Sequence, residues 1–164
     1  METPGDHAGH HDAPGSGHAT QSLNRLAFSA TAHCLTGCAI GEVLGMIIGT
    51  ALGWGNWETI ALAVALAFLF GYSLTMVPHV RGGLPLGAAI PVALAADTIS
   101  ITIMEIVDNA IILLIPGAME AGLTSPLFWG SLAVALLVAG VAAFPVNRWL
   151  IQRGRGHAVV HAYH

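Results

Sequence analysis

The chain has 164 residues, of which 55% are hydrophobic and 9% charged, with a formal net charge of -4. A soluble domain carries roughly 25% charged residues, so most of the polar coat a water-exposed surface needs is missing, and lipid is the expected solvent. There is no lysine, and the arginines are scattered; this excludes the basic, aromatic-interleaved surface that binds nucleic acid. No hydrolase triad, phosphate loop or dinucleotide fingerprint is present, and the chain does not read as an enzyme.

In chain order, residues 1–24 come first, rich in Gly, Pro, Ser, Ala and His and poor in large apolar side chains. They predict a disordered, histidine-rich cytoplasmic tail. His7, His10, His11 and His18 make it either a loose metal-capturing segment or simply a soluble leader. It lacks the basic start and apolar core of a cleavable signal, so the first span is expected to serve as its own uncleaved signal.

Four apolar segments follow, about Leu26 to Trp54, Thr59 to Val77, Leu86 to Ile115 and Leu127 to Leu150. Each reaches the length of about 20 residues that crosses the hydrocarbon as a helix. Breaker residues mark the joints: Gly53 and Gly55, then Pro78 and Gly82-Gly83-Leu84-Pro85, then Pro116-Gly117 and Ser125-Pro126. The expected fold is an all-α integral membrane four-helix bundle over residues 25–151, arranged as two parallel helical hairpins. Residues 152–164 form a second cytoplasmic tail, with His157, His161 and His164 on one helical face. Arg25, Arg81, Arg148, Arg153 and Arg155 all fall on one side of this topology, which places both termini in the cytoplasm and the protein in the inner membrane.

The first span reads AHCLTGCAIGEVLGMIIGTALG. Gly37, Gly41, Gly45, Gly49 and Gly53 recur every fourth residue and clear a strip along which another helix can approach closely. That strip suits either the bundle itself or a homodimer. One step around the helix lie Cys34, Cys38 and Glu42, with His33 and Met46 nearby. Thiols bind soft or borderline cations, and imidazole and carboxylate complete such sites. Cysteines four apart on a helix have Cβ atoms about 5–6 Å apart, too far for an unstrained disulfide at about 3.5–4.5 Å.

The third span reads LAADTISITIMEIVDNAIILLIPGAM. Asp97, Ile101, Glu105 and Asp108 share one helical face, with Met104 and Asn109 beside it. An acid at the centre of a span costs about 2.5–3.5 kcal/mol on insertion scales. Glu42, Asp97, Glu105 and Asp108 together would cost on the order of 10 kcal/mol if all faced lipid as ions. No arginine lies inside a span to offset them, so the acids must face the interior, hold protons, or hold a cation. Spans one and three run the same way, and one sequence offset relates Glu42 to Glu105, Cys34 to Asp97 and Cys38 to Ile101, so the two polar faces are expected to oppose each other at similar depth.

The strings HCLTGCAIGE in span one and MEIVDNA followed by PGAM in span three resemble the domain-of-unknown-function family numbered 4396. The resemblance covers roughly Ala30 to the C-terminus. It implies a small four-span bacterial membrane protein, and implies that His33, Cys34, Cys38, Gly41, Glu42, Glu105, Asp108 and Asn109 occupy motif positions. It implies no activity.

The leading functional expectation is a metal-binding membrane protein, a transporter or metal-handling subunit for a copper- or zinc-class ion. Its ligands would come from His33, Cys34, Cys38, Glu42, Asp97, Met104, Glu105 and Asp108. Two alternatives stand beside it. One is a structural or assembly protein with a protonated polar network between helices. The other is a thiol redox or proton-conducting protein.

Overall fold

Lipid offers no hydrogen bonds, so an apolar segment must satisfy its own backbone, and each of the four does so as an α-helix. The computed structural model describes residues 16–81 and 86–153. It contains α1 (Ser16–Leu52), α2 (Asn56–Arg81), α3 (Leu86–Leu114) and α4 (Pro126–Gln152). No strand occurs among the described residues, and the all-α bundle is as expected. Three helices contain stretches long and apolar enough to cross a membrane: Ser22–Leu52, Asn56–Val77 and Pro126–Gln152. The third helix is as long, at 29 residues, but carries Asp97, Glu105 and Asp108 within its apolar stretch.

The boundaries differ from expectation at two points. α1 begins at Ser16, inside the stretch expected to be disordered; extending an existing helix fixes few dihedrals per hydrogen bond gained, so Ala19, Gln21 and Leu23 suffice to continue it. α2 runs past Pro78 to Arg81; the proline has no N–H to give the preceding turn, and the helix continues to Arg81 with that one bond missing. His7, His10, His11, His157, His161 and His164 lie outside the described residues.

The glycine strip packs α1 against α2. A Cβ placed on Gly37 would sit 2.6 Å from the Gly71 Cα, and one on Gly45 would sit 2.6 Å from the Ala63 Cα. Gly41 meets the Ala67 backbone and Gly49 the Thr59 side chain in the same way. The descending order of partners shows an antiparallel hairpin in near backbone contact. The face proposed for a homodimer is therefore occupied by α2 of the same chain. Gly53 does not belong to the strip, since nothing lies within 4 Å of its Cβ position. It adopts a φ of 66° and ends α1. The Gly53 N–H donates to the Thr50 carbonyl (3.2 Å) and the Trp54 N–H to the Gly49 carbonyl (2.9 Å), a Schellman cap whose left-handed residue is glycine.

α3 and α4 form the second hairpin. Their connection turns at Gly117, φ 77°, and reaches α4 through an N-cap at Ser125, whose hydroxyl accepts from the Leu127 N–H (3.2 Å). Pro126 opens α4, where its missing N–H costs no helical bond. The Trp129 indole donates to the Leu123 carbonyl (2.9 Å) and ties this loop down. α4 also crosses α1, with the Asn147 amide donating to the Thr31 hydroxyl (2.9 Å) and the Arg148 guanidinium to the Asn24 side chain (2.8 Å). The alternation of antiparallel pairs makes α1 and α3 parallel. A core shared by all four helices consists of Cys34, Cys38, Ala67, Ile101, Met104, Ala139 and Ala143.

Replacing Gly41 by Val should force α1 from α2 and destabilise the protein by about 1–3 kcal/mol through overpacking. Gly130→Ala, where nothing lies within 4 Å, should leave stability unchanged or raise it by about 0.5–1 kcal/mol. Thermal unfolding of both variants in detergent reads the contrast; equal midpoints would show that the α1–α2 contact is not tight.

Candidate functional site

Because the glycine face of α1 is committed to α2, the adjacent stripe Cys34, Cys38, Glu42 is turned toward α3. The two polar faces meet rung by rung. Cys34 Sγ lies 3.8 Å from Asp97 Oδ1, between residues 63 positions apart. Cys38 lies beside Glu105, and Glu42 beside Asp108 and Glu105. The parallel register expected from the shared offset is thus observed for Cys34 and Asp97, while Cys38 meets Glu105 rather than only Ile101.

These groups are buried. Cys34 is 2% exposed, Cys38 1%, Asp97 2%, Glu105 6% and Asp108 1%. Both cysteines are free thiols. Met104 is in the apolar cluster that includes both cysteines. His33 is not part of the seam. It is exposed, and its ring Nδ1 lies 2.7 Å from the Ser29 carbonyl on its own helix; one residue before Cys34 means about 100° around the helix, which turns the ring away.

Several hydroxyl groups near the seam are satisfied locally, though the buried Ser100 Oγ is not. Thr31 donates to the Ala27 carbonyl, Thr59 to the Gly55 carbonyl and Ser131 to the Leu127 carbonyl. The carboxyls have no such recourse. Asn109 donates to the Glu105 carbonyl (2.8 Å) and more distantly to Glu105 Oε2 (3.5 Å). Both oxygens of Glu42, Oε1 of Glu105 and both oxygens of Asp108 meet no N–H or O–H donor. Facing carboxyls can bond to each other only when one of them carries a proton. Arg148 is engaged with Asn24, and Arg153 stacks 4.2 Å from the Trp149 ring centroid.

Glu42, Glu105 and Asp108 form the floor of a cavity of about 340 Å³. Its walls come from all four helices, including Met46, Ile60, Ile112 and Phe128. Its mouth lies at the end of the bundle carrying the α1–α2 turn and the α3–α4 loop, where Thr50, Trp54, Asn56 and Glu120 are exposed. Among the described residues, no positively charged side chain lines it. Cys34 and Asp97 lie on the other side of the floor, toward the arginine-bearing end. Among the described residues, no three His, Cys, Asp or Glu side chains converge as ligands of one ion.

Thr50, Trp54 and the loop residue Glu120 belong to the site without having been singled out from sequence. The signal for Thr50 was available, since Cys34, Cys38, Glu42, Met46 and Thr50 continue one i+4 row; Trp54 reaches the mouth beyond the Gly53 cap that ends α1. Glu120 reaches the mouth only through the conformation of a loop, which periodicity does not encode.

A family model described as "Domain of unknown function (DUF4396)" matches residues 23–156. No curated protein and no solved structure matches the chain.

Cys34 and Cys38 should resist N-ethylmaleimide in the folded protein and react after denaturation in dodecyl sulfate. A cysteine placed at Thr50 in a Cys34→Ala/Cys38→Ala background should react with a charged, water-soluble methanethiosulfonate. Rapid alkylation of native Cys34 or Cys38, or an inert Thr50→Cys, would contradict the burial and the position of the mouth.

Proposed function

From a chain that belongs to the family Domain of unknown function (DUF4396), we propose a membrane protein that takes a cation into an intramembrane carboxyl cluster formed by Glu42, Glu105 and Asp108. The observation that carries this reading is the floor of the cavity: unpartnered carboxyl oxygens, buried, with no basic side chain lining the space above them. An isolated buried carboxylate costs several kcal/mol in a low-dielectric interior, so positive charge must accompany it as a proton or another cation. In this reading α3 spans the bilayer with the other helices, its acids turned inward. The arginine-bearing end faces the cytoplasm, both termini with it, and the membrane is the bacterial inner membrane. The cavity then opens to the outer side.

A narrower form of the reading makes the cation a transition-metal ion of the copper or zinc class. Cys38 beside Glu105, with Cys34 and Asp97 one turn further, favours it, because thiolate and carboxylate together select borderline ions. Glu42, Glu105, Asp108 and Cys38 would be the first ligands, drawn together on binding. Met104 and Asp97 stand behind them, and His33 has no part.

Dicyclohexylcarbodiimide, an apolar reagent that modifies protonated carboxyls, should label Glu42, Glu105 or Asp108 in detergent-solubilised protein. A bound cation should slow that labelling. Mass spectrometry would follow it in the presence of sodium, zinc, copper(I) or benzyltrimethylammonium. Labelling that none of them slows would overturn the cation reading. For the narrower form, protein purified without chelator should hold stoichiometric metal, with affinity for added zinc falling at least about tenfold in Glu105→Gln, the loss of one charged ligand being worth more than about 1.4 kcal/mol. Metal-free protein that ignores both added zinc and added copper would sink the metal while leaving the cluster.

A further inference from the structure

The cavity is larger than a metal ion needs. Metal ligands stand about 2.0–2.6 Å from the ion, whereas a volume of about 340 Å³ falls within the roughly 300–1,000 Å³ range of small-molecule sites. Its polarity is divided. The floor is carboxyl, and Asp108, 1% exposed with both oxygens unpartnered, points into the space. The walls are Met46, Ile60, Ile112 and Phe128, and Trp54 stands at the mouth. Water would find polar partners at the floor, at Asn109 beside it, and at Thr50, Asn56 and Glu120 near the mouth, but few of the 2–4 contacts an ordered water needs along Met46, Ile60, Ile112 and Phe128. An occupant matched to both parts is apolar in its body and positive at one end.

We infer that the cavity is a binding site for a small organic cation, a protonated or quaternary amine carrying an apolar or aromatic group. The ammonium head rests among Glu42, Glu105 and Asp108, and the body lies along Met46, Ile112 and Phe128. This rests on the reading of the carboxyl cluster as the cation site and names its ligand class. Carboxyls grouped on a cavity floor without converging as ligands of one ion suit a head group several ångströms across better than a bare ion. Trp54, 45% exposed at the mouth, sets an aromatic side chain where an entering ammonium group passes. Glu120, on the rim, adds a negative charge that draws cations toward the opening.

The test uses the full chain in detergent and benzyltrimethylammonium as probe, with neopentylbenzene as its uncharged isostere. Calorimetry should show saturable one-to-one binding of the cation, weakened at least about tenfold in Glu105→Gln and in Asp108→Asn, and unchanged in Glu58→Gln, which lies outside the cavity. Thr50→Trp, or Ile112→Trp should the first not fold, fills the cavity above the floor. It should weaken the organic cation at least about tenfold while zinc still protects the floor carboxyls from carbodiimide. Equal binding of neopentylbenzene would overturn the inference, as partition into an apolar space. No saturable binding of benzyltrimethylammonium, with zinc still protecting the carboxyls, would overturn the ligand class and leave the cluster standing. Protection by neither of these, nor by sodium or copper(I), would bring down the cluster reading itself.

Discussion

Gly37, Gly41 and Gly45 leave no room for a side chain between α1 and α2, and the orientation of the polar groups follows from that contact. A helix whose one face lies backbone to backbone against a neighbour cannot rotate about its axis without collision. The next stripe around α1, Cys34, Cys38 and Glu42, is thereby fixed toward α3. Side chains in that stripe meet Asp97, Glu105 and Asp108 at matching depth because the two helices run parallel. Small residues also make the approach of α4 possible: Ala135, Ala139 and Ala143 are fully buried, so α4 closes the bundle with little side-chain bulk between helices.

The seam formed this way sorts its polar groups by whether the helix can satisfy them. Thr31, Thr59 and Ser131 donate their hydroxyls back to the carbonyl four residues earlier and so cost little in an apolar surround, whereas the buried Ser100 Oγ has no such bond. A carboxylate is acceptor-only, and every backbone N–H in the middle of a helix is already spent on the ladder. Glu42, Glu105 and Asp108 are therefore the groups that the fold cannot satisfy from within. Apolar residues at the same positions would have packed without that cost, which is why the cluster reads as a site and the hydroxyls as structure.

Much of this was legible from the residues. Four apolar stretches with glycine and proline joints gave the helices, since hydropathy and length alone decide what can lie in lipid. The two polar stripes could be read from fourfold spacing, and their opposition from the parallel course of spans one and three. Three things could not. His33 looked like a ligand by its neighbour in sequence, but adjacency along a helix is separation around it. The glycine strip fits a partner copy or a neighbouring helix equally well on periodicity; only tertiary packing shows α2 on it. The cavity was invisible because it is a volume left between four helices and a folded-back loop, where Ala118 and Ala121 are buried by the path of the chain and Glu120 is carried to the rim.

The seam is also unequal at its two ends. Toward the α1–α2 turn and the α3–α4 loop it widens into the cavity, with exposed Thr50, Asn56 and Glu120 at the mouth. Toward the arginine-bearing end it narrows to paired groups: Cys34 with Asp97, then Thr31 with Asn147, then Asn24 with Arg148. Each of these crossings joins two different helices, so opening that end means parting α1 from α3 and α4 together. The α1–α2 contact has no slack to contribute, because it is already backbone against backbone. On the proposed reading the site is one-sided in this conformation: a cation would reach the carboxyl floor from the mouth and leave by the same route, and passage beyond it would require the α3–α4 hairpin to move against the α1–α2 hairpin.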